Sequence, residues 1–321
     1  MRFWKNMLQR LQPLRPKFWR SIQKRICWIP LPASVLIAAC SPAPSSDSQS
    51  LKLGYIPYDT AIADREEAFQ ALRVYLQKQL EIPVTLIPTA SYQPAINAMR
   101  SGEIDVINFG AYAYLIAESN GSAEAFAVRG QPNGRPYDYH CVIICPANRP
   151  WLTIEEALAE KRNLDVLFTN RASTSGYLIA RSFYKGRGIE PESDFKDARF
   201  SNSHVLSVLY ASQGECDLAS VSSNLLQDMI ERGKIDQASV RVLWRSDSIP
   251  NGPIAYRPGL DAALKEAVRN AFYEAHKMDT ETWTLIQNQY PDQPFIYIPA
   301  STENFRSLKK LLKQDETAAG S

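Results

Sequence analysis

The sequence predicts an α/β protein of two compact lobes, each an open, mostly parallel sheet flanked by helices. Three observations lead there. The chain has 321 residues, more than one compact core usually serves. Its composition is ordinarily globular, at 45% hydrophobic and 22% charged. From residue 51 onward, short apolar runs alternate with stretches of helical period, the pattern of layered strands and helices.

The elements follow in order. "LKLGYIP" (51–57) predicts a strand. "REEAFQALRVYLQKQL" (65–80) puts Phe69, Leu72, Leu76 and Leu80 on one helical face. "VTLIP" (84–88) is a strand, 92–101 a short helix, and "IDVINF" (104–109) a strand. "YLIAESNG" (114–121) ends a helix at a glycine. "YHCVIIC" (139–145) is a strand, and "TIEEALAEK" (153–161) opens with a T-x-x-E capping box. The alternation resumes with "DVLFT" (165–169) and runs to "VRVLW" (240–244). The final seventy or so residues are expected to be mostly helical. In such sheets ligands bind outside the carboxyl ends of the strands.

The first 39 residues have another character. Residues 1–27 carry eight basic side chains and no acid, and the apolar stretch "WIPLPASVLIAA" (28–39) precedes Cys40. Twelve residues are too few to span a bilayer comfortably. A basic region, a short apolar core and small residues describe a secretory signal. "IAAC" (37–40) resembles a bacterial lipobox, which implies lipid on Cys40. The alternative is an uncleaved membrane anchor. "SPAPSSDSQS" (41–50) has the composition of a flexible tether. The full chain has a formal net charge of +2 from 36 basic and 34 acidic residues. Without the eight leader cations it holds 28 against 34, a net charge of −6. That charge argues against a nucleic-acid partner.

Five cysteines make no disulfide framework here. Cys141 and Cys145 share one strand face about 13 Å apart, too far to bridge. Cys216 has no evident partner. With no CxxC and three scattered histidines, no metal site and no cofactor are expected.

"TNRASTSGYLIARSFY" (169–184) carries the chemistry. Ser173, Thr174, Ser175 and Gly176 lie between a strand end and a helix start. Helix N-termini carry orphan N–H groups and partial positive charge, so they attract anions. Hydroxyls add donors, and a glycine lets an oxyanion approach the backbone. The set describes an oxyanion cradle without a cationic side chain. The blander account is that one of the hydroxyls is only an N-cap. A nucleophile elbow lacks its first glycine, and no Walker loop is present. His204, at the start of the next helix, is a donor to an oxyanion, with added charge if protonated, or a capping residue. Asp59 is an acceptor for a P–OH proton or a turn residue.

"STSGYLIARSFY", "SNSHVLSVLYASQGECDLAS" and "VLWRSDSIPNGPIAYRPGL" resemble the phosphonate, phosphite and phosphate substrate-binding proteins of ABC importers. The similarity runs from about 51 to 275. It implies a type II periplasmic binding protein, two lobes joined by two crossover strands at a hinge. It places ligand contacts at Ser173, Thr174, Ser175, His204 and Tyr92, with an aromatic at Phe109 and a weaker candidate at Tyr139. The two carboxylates that hold the ammonium of aminoalkyl phosphonates in some members fall by position at Asn224 and Gly252. Neither is acidic, so a ligand without an amine is expected.

The function expected is therefore a lipid-tethered, monomeric solute-binding protein, periplasmic or otherwise extracytoplasmic, that passes a small phosphorus oxyanion to an ABC permease and its ATPase. The alternatives are an enzyme or a ligand sensor on the same fold. Only Ser175 with His204 offers a nucleophile–base pair, and no third orienting residue is evident. The expected boundaries are 1–39 signal, 40–50 tether, 51–138 plus 247–315 for lobe 1, 139–246 for lobe 2, and 316–321 as a disordered tail.

Overall fold

The computed structural model describes residues 50–56, 63–288, 293–300 and 302–319. The expected leader, Cys40, nearly all of the tether and Asp59 lie outside the described residues. The chain opens with β1 (Leu51–Tyr55), α1 (Ala63–Leu80), β2 (Val84–Pro88), α2 (Tyr92–Ser101), β3 (Val106–Asn108), α3 (Ala111–Ser119) and β4 (Glu124–Gly130). The short strand β5 (Asp138–Tyr139) leads into β6 (Cys141–Pro146), α4 (Ile154–Ala159), β7 (Asp165–Phe168), α5 (Ala180–Lys185), α6 (Pro191–Asp194) and β8 (Asp197–Phe200). Then come α7 (His204–Gln213), β9 (Leu218–Ser222), α8 (Ser223–Glu231) and β10 (Val240–Arg245). The chain returns through β11 (Ile249–Pro250) to β12 (Ile254–Tyr256), α9 (Ala262–Glu274), α10 (Thr280–Gln287), β13 (Ile296–Pro299) and α11 (Arg306–Ala319).

Two main sheets result. One has the order β13-β4-β12-β3-β1-β2 and the other β10-β6-β9-β7-β8. The strands β5 and β11 pair antiparallel as a separate two-stranded ribbon. The expectation of mostly parallel sheets needs correction, because both sheets are mixed. In the first, β1 pairs parallel with β2 and β3, whereas β12 runs against β3 and β4, and β13 against β4. In the second, β7 is parallel to β8 and β9, whereas β6 runs against β9 and β10. The reason lies in the connections. A parallel pair needs a helical crossover that returns the chain to the same end of the sheet. β6 and β12 arrive straight from β5 and β11, so they enter their sheets from the opposite end.

Local signals account for the elements around the site. All six residues of β6 are buried. Cys141, Ile143 and Cys145 join one apolar cluster, and Val142 and Ile144 another. A strand covered on both faces has no polar alternation, hence the unbroken "CVIICP". Cys141, Cys145 and Cys216 are free thiols, and burial pushes the pKa of each up. At α4 the Thr153 side chain accepts the Glu156 N–H at 3.3 Å, and the Glu156 carboxylate accepts the Thr153 N–H. Thr153→Ala is expected to cost about 1 kcal/mol, read as a lower urea midpoint at unchanged slope. β13 is a strand inside the stretch expected to be mostly helical. α11 runs through Ala319, into the stretch 316–321 expected as a tail.

Candidate functional site

The hydroxyl segment follows β7. Thr174–Ile179 forms a widened, π-helical turn with Ser173 as its N-cap. The Leu178 N–H reaches back to the Ser173 carbonyl at 3.0 Å. Ser173 Oγ accepts the Gly176 N–H at 3.1 Å. One of the three hydroxyls is therefore a cap, as the blander account held, but it does more. His204 Nε2 lies 3.1 Å from the same oxygen. His204 Nδ1 accepts the Ser222 N–H at 3.2 Å. A backbone N–H only donates, so Nδ1 bears no proton and Nε2–H is the donor to Ser173. The ring is held as one neutral tautomer, and protonation would set Nδ1–H against the Ser222 N–H. α7 places the ring there, since His204 is its first residue behind the N-cap Ser203.

Thr174 Oγ1 accepts the N–H of Tyr112, in the first turn of α3, at 2.9 Å. The bond joins the turn after β7, in one sheet, to the helix after β3, in the other. Ser175 makes no side-chain hydrogen bond among the described residues and is 1% exposed. The three hydroxyls thus keep their protons. Ser173 and Thr174 spend acceptor capacity on N–H groups, and none of the three donates to an acceptor among the described residues.

Gly176 also meets a steric requirement that the sequence did not announce. A Cβ on it would lie 1.8 Å from Thr169 Oγ1. Its missing side chain makes room for the Thr169 side chain at the strand end. Its carbonyl is fixed by the Thr169 N–H at 3.0 Å and by the Ser220 hydroxyl at 2.9 Å.

Tyr92, Tyr139, Ser173, Thr174, Ser175 and His204 line one cavity of about 260 Å³. Tyr92 is the first residue of α2, and Tyr139 sits in the β5–β11 ribbon. Phe109, buried at the end of β3, also lines it, as do Asn224 and Gly252. Tyr55 does too; burial, then the Glu66 carboxylate, raise its pKa and keep the phenol a proton donor.

Several lining residues escape sequence reasoning. Arg129, at the end of β4, and Asn251, beside Gly252, face the cavity together. The cradle expected to lack a cationic side chain therefore shares its cavity with an arginine. The only signal in the sequence is a basic residue near the end of the strand "EAFAVRG", after the apolar run "AFAV". On α8, Asp228 and Glu231 also reach the cavity, on the face that carries Asn224 and Gln227. Asp228 pairs with Arg232 at 2.6 Å, and Glu231 accepts from Gln227. Among the described residues, no group of three or more His, Cys, Asp or Glu is placed to hold a metal ion.

Comparison with known proteins sets this geometry in context. The family model for periplasmic substrate-binding proteins of phosphonate ABC transporters matches residues 53–296. The chain is 24% identical over 255 residues to the phosphate-import protein PhnD of Mycolicibacterium smegmatis, covering 74% of this chain and 78% of that one. The binding-protein component of an ABC phosphonate transporter from Pseudomonas aeruginosa superposes with a TM-score of 0.75 at 21% identity, over 86% of this chain and 90% of its own. PhnD1 of Prochlorococcus marinus, solved in complex with methylphosphonate, gives 0.72 at 18% identity, over 84% and 99%. The fold is that of the type II periplasmic binding proteins, and the chain belongs to the periplasmic substrate-binding family of phosphonate ABC transporters.

Proposed function

We propose that this protein captures a small phosphorus oxyanion without an amine (phosphite, phosphate or a simple alkyl phosphonate) in the cavity between two lobes. Members of its family are the periplasmic solute-binding components of ABC transporters, not enzymes. The observation that carries the reading is the row Ser173, Thr174 and Ser175, whose hydroxyl protons lack acceptors among the described residues at a buried cavity wall. Buried donors require acceptors, and a tetrahedral oxyanion presents several at once. The neutral His204 orients Ser173, while Tyr92 and Tyr139 approach from elsewhere on the cavity wall. Asp59 is the proposed acceptor for a P–OH proton.

The lobes proposed are 51–138 with 247–315, and 139–246. In support, each main sheet draws its strands from one of these ranges, and only β5 and β11 pair across them. Asn224 and Gly252 line the cavity where amine-binding relatives are expected to carry carboxylates, and neither supplies one. Asp228 and Glu231 are already engaged by Arg232 and Gln227. The protein is further proposed to act as a monomer, held at the membrane by lipid on Cys40, and to deliver its cargo to a permease with its ATPase.

Calorimetric titration with phosphite, phosphate, methylphosphonate, 2-aminoethylphosphonate and sulfate tests the reading. Tight binding of one amine-free phosphorus oxyanion is expected. Ser175→Ala then weakens it about 10- to 100-fold, the worth of one hydrogen bond to a charged group. Silence with all five ligands overturns the oxyanion site. Tightest binding of 2-aminoethylphosphonate overturns the amine-free ligand alone.

A further inference from the structure

We propose that Arg129 and Asn251 form a second, donor-only subsite in the cavity, one that takes a hydrogen-bond acceptor on the ligand's substituent, a carboxylate above all. The inference rests on the reading of the cavity as a phosphorus-oxyanion site and names what the far end of the ligand carries.

Arg129 Nη2 donates to Asn251 Oδ1 at 3.3 Å. Both residues line the cavity, and each is 7% exposed. The guanidinium fixes the amide's orientation. It can only donate, so the oxygen must face it and the NH₂ must turn away. Asn251 Nδ2 is buried and has no acceptor among the described residues. A donor left so costs about 1–3 kcal/mol, which a ligand acceptor would relieve.

The amide is also rigidly held. The Asn251 N–H donates to the Tyr137 carbonyl at 3.3 Å, and the neighbouring Gly252 is pressed against the Phe109 carbonyl. A donor on so constrained a backbone is organised before any ligand arrives. Beside it stands the permanently charged guanidinium of Arg129, whose positive charge favours an anionic acceptor.

Room and charge agree with this. A cavity of about 260 Å³ has space for roughly eight waters at ~30 Å³ each, and a bare phosphate fills only part of that. The two carboxylates lining it already have partners in Arg232 and Gln227. What remains unspent at Asn251 is a donor, as it is along the hydroxyl turn. A ligand with acceptors at both ends matches both walls.

The test compares phosphonoacetate with isobutylphosphonate, which keeps the skeleton and replaces the carboxylate oxygens with methyls. Calorimetry on the full protein is expected to show phosphonoacetate binding at least tenfold more tightly. Asn251→Asp, which turns the donor into an acceptor, is expected to reduce that ratio below threefold. Equal affinities in the wild type overturn the subsite, as does a preference that survives Asn251→Asp. The wild-type ratio decides the matter even if the variant does not fold. The two readings fail differently. If both ligands bind equally and Ser175→Ala weakens both, the subsite falls and the oxyanion site stands. If neither binds and methylphosphonate does not either, both fall.

Discussion

Gly252→Ala is expected to lower stability by about 3 kcal/mol, the upper end for forcing extra volume into a packed site. The added Cβ would lie 1.8 Å from the Phe109 carbonyl oxygen, 2.7 Å from its carbon and 2.8 Å from the Gly110 carbonyl carbon. All three are backbone atoms, so no side chain can swing aside. Nor can the segments part freely. The Phe109 N–H donates to the Pro253 carbonyl at 2.9 Å, and β12 pairs with β3 immediately beyond. Relief of the clash must break that pairing or move the wall of the cavity. The check is urea denaturation, with the midpoint falling at unchanged slope. Stability within about 0.5 kcal/mol of the wild type would show that the junction yields freely. The same geometry bears on ligand choice. Gly252→Asp is expected to fail to create a 2-aminoethylphosphonate site, because the first side-chain carbon has nowhere to go.

Gly176→Ala is expected to cost about 2–3 kcal/mol and to weaken oxyanion binding more than tenfold. Its Cβ would meet Thr169 Oγ1 at 1.8 Å, Cγ2 at 2.6 Å and Cβ at 2.7 Å. Rotating a stiff β-branched side chain exchanges the first two contacts but leaves the third. The turn must then lift away from β7, and Ser173, Thr174 and Ser175 move with it. Thr169→Gly removes all three clashing atoms, and Thr169 Oγ1 has no hydrogen-bond partner to lose. The double variant Gly176→Ala with Thr169→Gly should therefore be more stable than the sum of the single effects allows. A double-mutant cycle should give a coupling of roughly 1–3 kcal/mol. Additive effects would mean that the glycine is required for something other than Thr169.

These two glycines show how the site was and was not legible. Gly176 stood out in the sequence beside three hydroxyls, and the expectation for it was a close approach by ligand. Its neighbour is instead a residue seven positions earlier, brought back by the turn. Gly252 was noted for the carboxylate it lacks, whereas its steric role is set by β3, far away in the chain. His204 was located correctly at a helix start, but its tautomer depends on the Ser222 N–H at the end of β9. β13 went unnoticed because a short strand among helices has no period of its own to announce it.

By itself the sequence determined what depends on nearest neighbours. The βα alternation, the capping box at Thr153 and the hydroxyl turn at a strand-to-helix junction all follow from local period and capping chemistry. So did the resemblance that carried the family. The tertiary structure alone brought Arg129 and Asn251 to the same cavity wall. Arg129 and Asn251 are 122 residues apart and meet only because the chain leaves through β5 and returns through β11 beside it. Strand direction in the two sheets was settled the same way, by where each strand enters. Neither is written in periodicity, because pairing between distant segments depends on the path between them and on burial that no short stretch can provide for itself.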